Sequence, residues 1–235
     1  MNKSITQDYQ NEKQISASVR RFFTRFHVSS ALKAANAYKT KGIPVIEIFQ
    51  YLFILIFSNR SMYMDLLTGR NTPTFAKDTV YRFMKTAHIN WVRFTTVLSA
   101  RAIQGAVVPL NNQNRINVLI IDDSMFERNR SKKVELLAKV YDHAKHSYRF
   151  GFRMLTLGWS DGSTFLPVNS VLLSSEKKKS RINEAAPMDK RTVGYKRRAL
   201  SMTKGTEAML ELLKAAKTAR IPAEYVLFDS WFSSP

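Results

Sequence analysis

The chain has 235 residues, no cysteine, and 37 lysines and arginines against 18 aspartates and glutamates, which gives a formal net charge of +19 and a pI near 10.2. The lack of cysteine excludes a disulfide framework and a cysteine-ligated zinc site. Both halves of the chain are strongly basic, which predicts a polyanionic partner, DNA or RNA. The longest apolar run, 43–57, is too short to span a bilayer comfortably, so we expect no membrane partner.

Residues 1–112 are predicted to form a basic, mostly helical region. Apolar residues at helical spacing, with arginines between them, predict one amphipathic helix over 16–38. A second helix is predicted over 44–57, and its nearly continuous apolar surface suits the centre of a small bundle. Further predicted features are a turn at 58–61, helices over 62–67 and 91–104, and a linker at 111–114.

The segment 74–85 is predicted to be a helix with two different sides. The apolar side has Val80, Phe83 and Met84, and the polar side has Tyr81, Arg82 and Lys85. A helix-turn-helix recognition helix divides its residues in this way between core and DNA groove, with Arg82 and Lys85 binding DNA. An ordinary surface helix shows the same pattern, so both interpretations stay open.

From residue 115 the apolar pattern becomes strand-like. Two apolar runs, 149–160 and 164–173, are joined by Asp161-Gly162-Ser163 and predict a β-hairpin. The segment 176–204 is rich in lysine and arginine and predicts a basic insertion or flexible loop, which either neutralises DNA phosphates or is simply solvated. A helix over 205–220 follows. The candidate DNA-binding residues of the basic segment are Lys177, Lys178, Lys179, Arg181, Lys196, Arg197 and Arg198.

Two predicted strands end in aspartates. The sequence NVLIIDDSMFE at 117–127 runs from apolar residues into Asp122 and Asp123, and YVLFDSWF at 225–232 reaches Asp229. Carboxylates on neighbouring rigid strands can hold Mg²⁺, which also binds the phosphate oxygens of a substrate. The alternative is that the three acids only end strands and start turns.

A zinc site is the weaker metal hypothesis. His143 and His146 are three residues apart, but no further ligand at zinc spacing accompanies them. We therefore predict that both histidines lie in the loop before the hairpin.

The elements come in the order strand with aspartate, hairpin, basic insertion, helix, and second strand with aspartate. In this order, and in the motifs VLIIDDS and VLFDSWF, the chain resembles the bacterial insertion-sequence transposases of the family-four type, which have a ribonuclease H-like DDE core. The resemblance implies a mixed α+β fold class: a helical DNA-binding region at 1–112, then an incomplete ribonuclease H-like α/β core with a mixed sheet at 113–235. It maps the family's two aspartates onto Asp122 and Asp229, with Asp123 as a variable position.

The resemblance also implies a function. Asp122 and Asp229 are its catalytic residues and its ligands of Mg²⁺ or Mn²⁺, in cleavage of double-stranded DNA at transposon ends and strand transfer into target DNA. It further implies a bacterial, cytoplasmic, nucleoid-associated protein that forms a homodimer in a synaptic complex.

One departure from the family concerns its third carboxylate, a glutamate well beyond the second aspartate. No residue of this chain takes that role, so we expect these 235 residues to bind DNA without cutting it. The competing hypothesis is a non-catalytic basic DNA- or RNA-binding protein in which the acids are structural.

Overall fold

The computed structural model describes residues 2–57, 61–69, 73–110, 115–142 and 145–232. The chain forms two compact units, Met1–Ile89 and Asn90–Pro235. Helices make up the first unit, and helices together with a mixed sheet make up the second, so the predicted mixed α+β class is confirmed. The predicted linker at 111–114 and most of the predicted turn at 58–61 lie outside the described residues.

Aromatic side chains form the core of the helical unit. Its helices are α1 (Asn2–Arg25), α2 (Val28–Ala34), α3 (Val45–Phe57), α4 (Met62–Thr68) and α5 (Lys77–Met84). Phe22 and Phe23 of α1 contact Phe49 and Phe53 of α3, with ring centroids 5.4 to 5.9 Å apart. These contacts explain why α3 is apolar on almost every side.

The single helix predicted over 16–38 is in fact two helices. His27 adopts a left-handed conformation with φ 49°, and it separates α1 from α2. Asn36, with φ 62°, follows the end of α2. Left-handed residues cannot continue a right-handed helix, and neither residue type is a strong helix breaker in a sequence pattern.

The second unit is built on a five-stranded sheet. Its strands are β1 (Val118–Glu127), β2 (Ala138–Asp142), β3 (Ser147–Ser160), β4 (Phe165–Leu173) and β5 (Tyr225–Phe228). Strand β3 pairs antiparallel with β1, β2 and β4, and β5 lies parallel to β1. The predicted hairpin is therefore β3–β4, whereas β2 was not predicted.

Helices cover one face of this sheet. They are α6 (Trp91–Ala102) and α8 (Gly205–Thr218), and α7 (Val193–Ser201) lies in the basic segment. Ala208, Leu212 and Ala216 of α8 are buried in the same core as Trp159 of β3. Because α6 also packs on the sheet, with Ser99 Oγ donating to the Pro167 carbonyl at 2.8 Å, the second unit starts at Asn90 rather than at the predicted residue 113.

The opposite face of the sheet is much more exposed. Strand alternation and register place Phe165, Tyr225 and Leu227 on this face, and each keeps half or more of its surface in contact with solvent. Part of this face is also covered, because Phe152 lies on it opposite Phe126 and is buried in a second cluster with Leu136 and Leu137.

A buried carboxylate organises the turn between β3 and β4. Asp161 Oδ1 accepts hydrogen bonds from the backbone N–H groups of Ser163 at 3.0 Å and Thr164 at 2.6 Å, and Oδ2 pairs with Arg115 Nη1 at 2.9 Å. Burial by itself raises the pKa of Asp161, but these hydrogen bonds and the arginine outweigh it, so the pKa is lowered. The ionised carboxylate is therefore part of the folded turn.

We expect Asp161→Asn to lower the free energy of unfolding by about 1 to 3 kcal/mol near neutral pH, since it removes a charged acceptor from buried donors. The pKa is lowered on folding, so this stability is present above the unfolded pKa of about 3.9 and is lost as the pH falls through the folded value. Urea unfolding at several pH values should show the two proteins converging in acid.

A matched control for this prediction is Asp189→Asn, which removes an ion pair with Arg191 that is largely exposed. Its cost should stay below about 1 kcal/mol. A stability difference between wild type and Asp161→Asn that is the same at every pH would contradict the prediction.

Candidate active site

The two strands that lead to the predicted aspartates are neighbours in the sheet. Strand β1 continues to Glu127, so Asp122 lies within this strand and not at its end as predicted. The parallel register of β1 and β5 pairs Ile121 with Phe228. The next residues along the two strands are Asp122 and Asp229, and adjacent strands lie about 4.8 Å apart. The fold therefore brings these two predicted site residues side by side, Asp122 within β1 and Asp229 directly after β5.

Strand alternation separates Asp122 from Asp123. Asp122 lies opposite Thr156 of β3 and is exposed. Asp123 falls on the other face, the one that α6 and α8 cover, and its Oδ2 lies 2.6 Å from Arg153 Nε. Asp123 thus has an ion-pair partner within the sheet, and Asp122 is the carboxylate of the doublet that lies on the face shared with Asp229.

Local hydrogen bonds orient both exposed carboxylates. Asp122 Oδ1 accepts from the backbone N–H of Asp123 at 2.8 Å, and Asp229 Oδ1 accepts from Ser230 Oγ at 3.1 Å. The backbone N–H of Phe232 donates to the Asp229 carbonyl at 3.0 Å, within a short 3₁₀ turn over Ser230–Phe232. A strand and a following tight turn therefore fix the backbone on either side of Asp229.

The donor chemistry of this pair suits a hard divalent cation. Mg²⁺ and Mn²⁺ take oxygen ligands, and Mg²⁺ is often held by one or two carboxylates together with water and substrate phosphate. Within the described ranges no cluster of three or more His, Asp or Glu side chains is present. His146 is exposed in a turn before β3, and His143 lies outside the described residues. Asp122 and Asp229 are therefore the side chains that fit a metal here.

The family comparison is consistent with this geometry. A family model described as DDE superfamily endonuclease matches residues 53–235, more than half of the chain, including β1 and β5. The chain belongs to the DDE superfamily endonuclease family. No curated protein and no solved structure matched it. The mixed sheet with helices on one face is consistent with the ribonuclease H-like fold of a DDE domain.

In the part of the chain that the structure describes, no helix is long and apolar enough to cross a membrane.

The basic segment of this DDE endonuclease is partly ordered by its own arginines. It contains α7 and a short 3₁₀ turn, Lys178–Ser180, so of the two predicted alternatives, a basic insertion or a flexible loop, the structure favours the insertion. The ion pairs of the segment join Arg181 to Glu184, Arg191 to Asp189, and Arg198 to Glu135. Arg181 also donates to the carbonyls of Ser175 and Glu176. Arg181 and Arg198 therefore help to hold the segment in place.

The other cations of the segment are available to a polyanion. The exposed ones are Lys177, Lys178, Lys179, Lys190, Lys196, Arg197 and Lys204. The sequence did not distinguish them from the structural arginines, because the partner of Arg198 is 63 positions away along the chain. Hydrogen bonding to Arg198 lowers the pKa of Glu135, which favours the ionised form of this pair.

Helix α5 of the DDE endonuclease has the predicted two sides, with one exception. Val80 and Phe83 are buried, and Arg82 and Lys85 are exposed. Met84 is 47% exposed rather than part of the apolar side. The exposed basic side is available for DNA, and contact with base edges stays a prediction.

Proposed function

We propose that this DDE endonuclease is a transposase of the family-four insertion-sequence type. It cleaves double-stranded DNA at transposon ends with Mg²⁺ or Mn²⁺ and joins the freed 3′ hydroxyl to target DNA. The observation that supports the proposal is the β1–β5 register, in which Asp122 and Asp229 follow the paired residues Ile121 and Phe228 on adjacent strands. The net charge of +19 supports a polyanionic substrate.

In this proposal each group of residues has a defined task. Asp122 and Asp229 hold the divalent ion, which when bound supplies Lewis-acid polarisation of the phosphate and favours deprotonation of the attacking water. The rigid strands β1 and β5 keep the two carboxylates at a fixed spacing. The ion pair between Asp123 and Arg153 holds the middle of β1 against β3 and so positions Asp122.

The remaining basic residues bind the DNA in this proposal. The exposed lysines of the basic segment neutralise phosphates, and Arg82 and Lys85 of α5 contact base edges. The proposal also includes a homodimer in a synaptic complex and a place on the nucleoid in the bacterial cytoplasm.

Duplex binding at constant ionic strength, measured by fluorescence anisotropy with and without Mn²⁺, tests the proposal. We expect a metal-dependent gain in affinity for the wild type, because a divalent ion held by Asp122 and Asp229 would supply positive charge to the DNA phosphate. Asp122→Asn and Asp229→Asn should each lose this gain. Metal-independent binding should persist, with an affinity that falls with salt at a slope of about 0.9 per phosphate contacted.

The control is Asp123→Asn, which changes the neighbouring carboxylate on the other face and should keep the metal-dependent gain. The competing hypothesis of a non-catalytic binding protein makes the opposite prediction: both site variants bind DNA like the wild type at every metal concentration. That result would overturn the transposase proposal.

A further inference from the structure

Exposed aromatic rings lie side by side where β2 pairs with β3. The register places Tyr141 opposite Tyr148 and Lys139 opposite Phe150. The two tyrosine rings are 5.2 Å apart at 69°, and the exposed fractions are 62% for Tyr148, 40% for Phe150 and 37% for Tyr141. We call Tyr141, Tyr148 and Phe150 with Lys139 the hairpin platform.

Positive charge accompanies these rings. Lys139 Nζ lies 5.0 Å from the centroid of the Tyr148 ring. At the adjacent end of β1, the Arg128 guanidinium lies 4.1 Å from the centroid of the Phe126 ring. Cations held over or beside ring faces can bind a phosphate while the ring contacts a base.

The acids of the same strands lie on the other face. Asp142 pairs with Ser147, one position along from the tyrosine pair, and Glu127 lies opposite Gly151, one position from Phe150. Alternation therefore directs both acids away from the platform. Lys145 contacts both of them there. The strands thus present rings and cations on one face and ion-paired acids on the opposite face. The face with the rings and cations therefore suits an anionic ligand that has flat apolar groups.

The hairpin platform shares a sheet face with the candidate active site. Asp122 lies opposite Thr156, and Phe150 and Tyr148 follow on the same face, six and eight residues before Thr156 on β3. At about 3.4 Å per residue this is roughly 20 to 27 Å. That separation is less than the roughly 34 Å of one duplex turn, so DNA held at Asp122 reaches the platform with nucleotides about six to eight positions from the cleavage site.

We propose that the hairpin platform binds unpaired nucleotides of the DNA strand that flanks the cleavage site. The bases stack on Tyr148, Phe150 and Tyr141, and Lys139 and Arg128 bind the adjacent phosphates. The proposed ligand is unpaired because the faces of paired bases are covered by their neighbours in a duplex and cannot stack on a protein ring. Proteins that bind single strands combine aromatic rings with basic side chains, as this platform does. This inference rests on the proposed function and adds a substrate subsite to it.

The test compares two DNA probes with the 235-residue chain. One is a blunt duplex, and the other is the same duplex with an unpaired extension that carries 2-aminopurine. We expect the extension to tighten binding and the 2-aminopurine fluorescence to fall as the base stacks. The double variant Tyr148→Ala/Phe150→Ala should lose about 5- to 150-fold of affinity for the extended probe, the range for loss of one stacked base, and lose the quenching. Its affinity for the blunt duplex should be unchanged.

Two further variants separate stacking from general effects. Tyr148→Phe keeps the ring and should keep the quenching and the tighter binding. Tyr38→Ala removes a tyrosine of nearly the same exposure, 61%, outside the sheet, and should behave like the wild type. Circular dichroism melting checks that each variant is folded.

The possible failures are distinguishable. If the wild type shows no salt-dependent binding to duplex DNA, the proposed function is overturned and this inference with it. Duplex binding without any gain from the extension, or a gain that the double variant retains, would overturn the inference alone. A third possible result is that the chain self-associates with rising concentration, that the double variant abolishes this association, and that the extension has no effect on binding. The platform would then contact a second copy of the chain, and the inference would be overturned.

Discussion

Asp122→Asn removes divalent-metal binding, whereas Asp123→Asn, one residue along, leaves it intact. This is the result we expect from calorimetric titration of Mn²⁺ without DNA. The reason is geometric: Asp122 lies next to Asp229 across the β1–β5 register, while Asp123 lies on the other face in an ion pair with Arg153. Loss of one of the two proposed carboxylate ligands should weaken Mn²⁺ binding by about 100-fold or more. This exceeds the effect of changing a residue that only hydrogen-bonds to a metal ligand.

Asp229→Asn should match Asp122→Asn in this titration, because the two carboxylates act as one site. The Asp123→Asn variant serves as the control, and its expected effect is on stability: it leaves Arg153 without its carboxylate partner and should cost about 1 kcal/mol. Equal metal affinities for wild type and Asp122→Asn, or a loss confined to Asp123→Asn, would show that the assignment of the doublet is wrong.

The second large effect concerns Trp159, which is fully buried in the core under α8. Its Nε1 donates to the Pro222 carbonyl at 2.7 Å, in the segment that leads into β5. Trp159→Ala should lower the free energy of unfolding by about 3 to 5 kcal/mol. Trp159→Phe keeps most of the apolar volume but leaves the Pro222 carbonyl without this donor, and it should cost about 1 to 3 kcal/mol.

Trp159→Phe should also weaken Mn²⁺ binding. Pro222 lies shortly before β5, and Asp229 follows that strand, so the hydrogen bond to Pro222 helps to position Asp229. Leu155→Val is the matched control. Leu155 is equally buried on β3, and the change should cost about 1 kcal/mol without altering metal affinity. Thermal unfolding and Mn²⁺ titration of the same samples measure both quantities. Unchanged metal affinity in a destabilised Trp159→Phe protein would mean that this hydrogen bond supports the core alone.

The strands that carry the acids were predictable because both are short apolar runs that stop abruptly at Asp. Their pairing was not, since β1 and β5 are brought together by parallel pairing across more than a hundred residues, which no local pattern encodes. The opposite orientations of Asp122 and Asp123 did follow from alternation. The partner of Asp123, Arg153, lies on a different strand and became visible only in the fold.

Two elements escaped prediction for local reasons. Strand β2 has only five residues, Ala138–Asp142, and the charged Lys139 and Asp142 leave no continuous apolar run longer than two residues. Helix α7 lies in a run of basic residues that resembles a solvated loop. Its available signal was Thr192, whose side chain accepts a hydrogen bond from the backbone N–H of Tyr195 and caps the helix.

The ion pair between Asp123 and Arg153 has a consequence for how the molecule folds. If β1 slipped by one residue against its neighbours, every side chain would change faces, and Asp123 would take the place of Asp122 beside Asp229. A misregistered isomer of this kind would still present one carboxylate, but it would expose Ile121 and bury Asp122. The ion pair with Arg153 needs Asp123 on the covered face, as in the native alignment. Asp123 therefore stabilises the native register over one that would place the wrong carboxylate in the candidate active site.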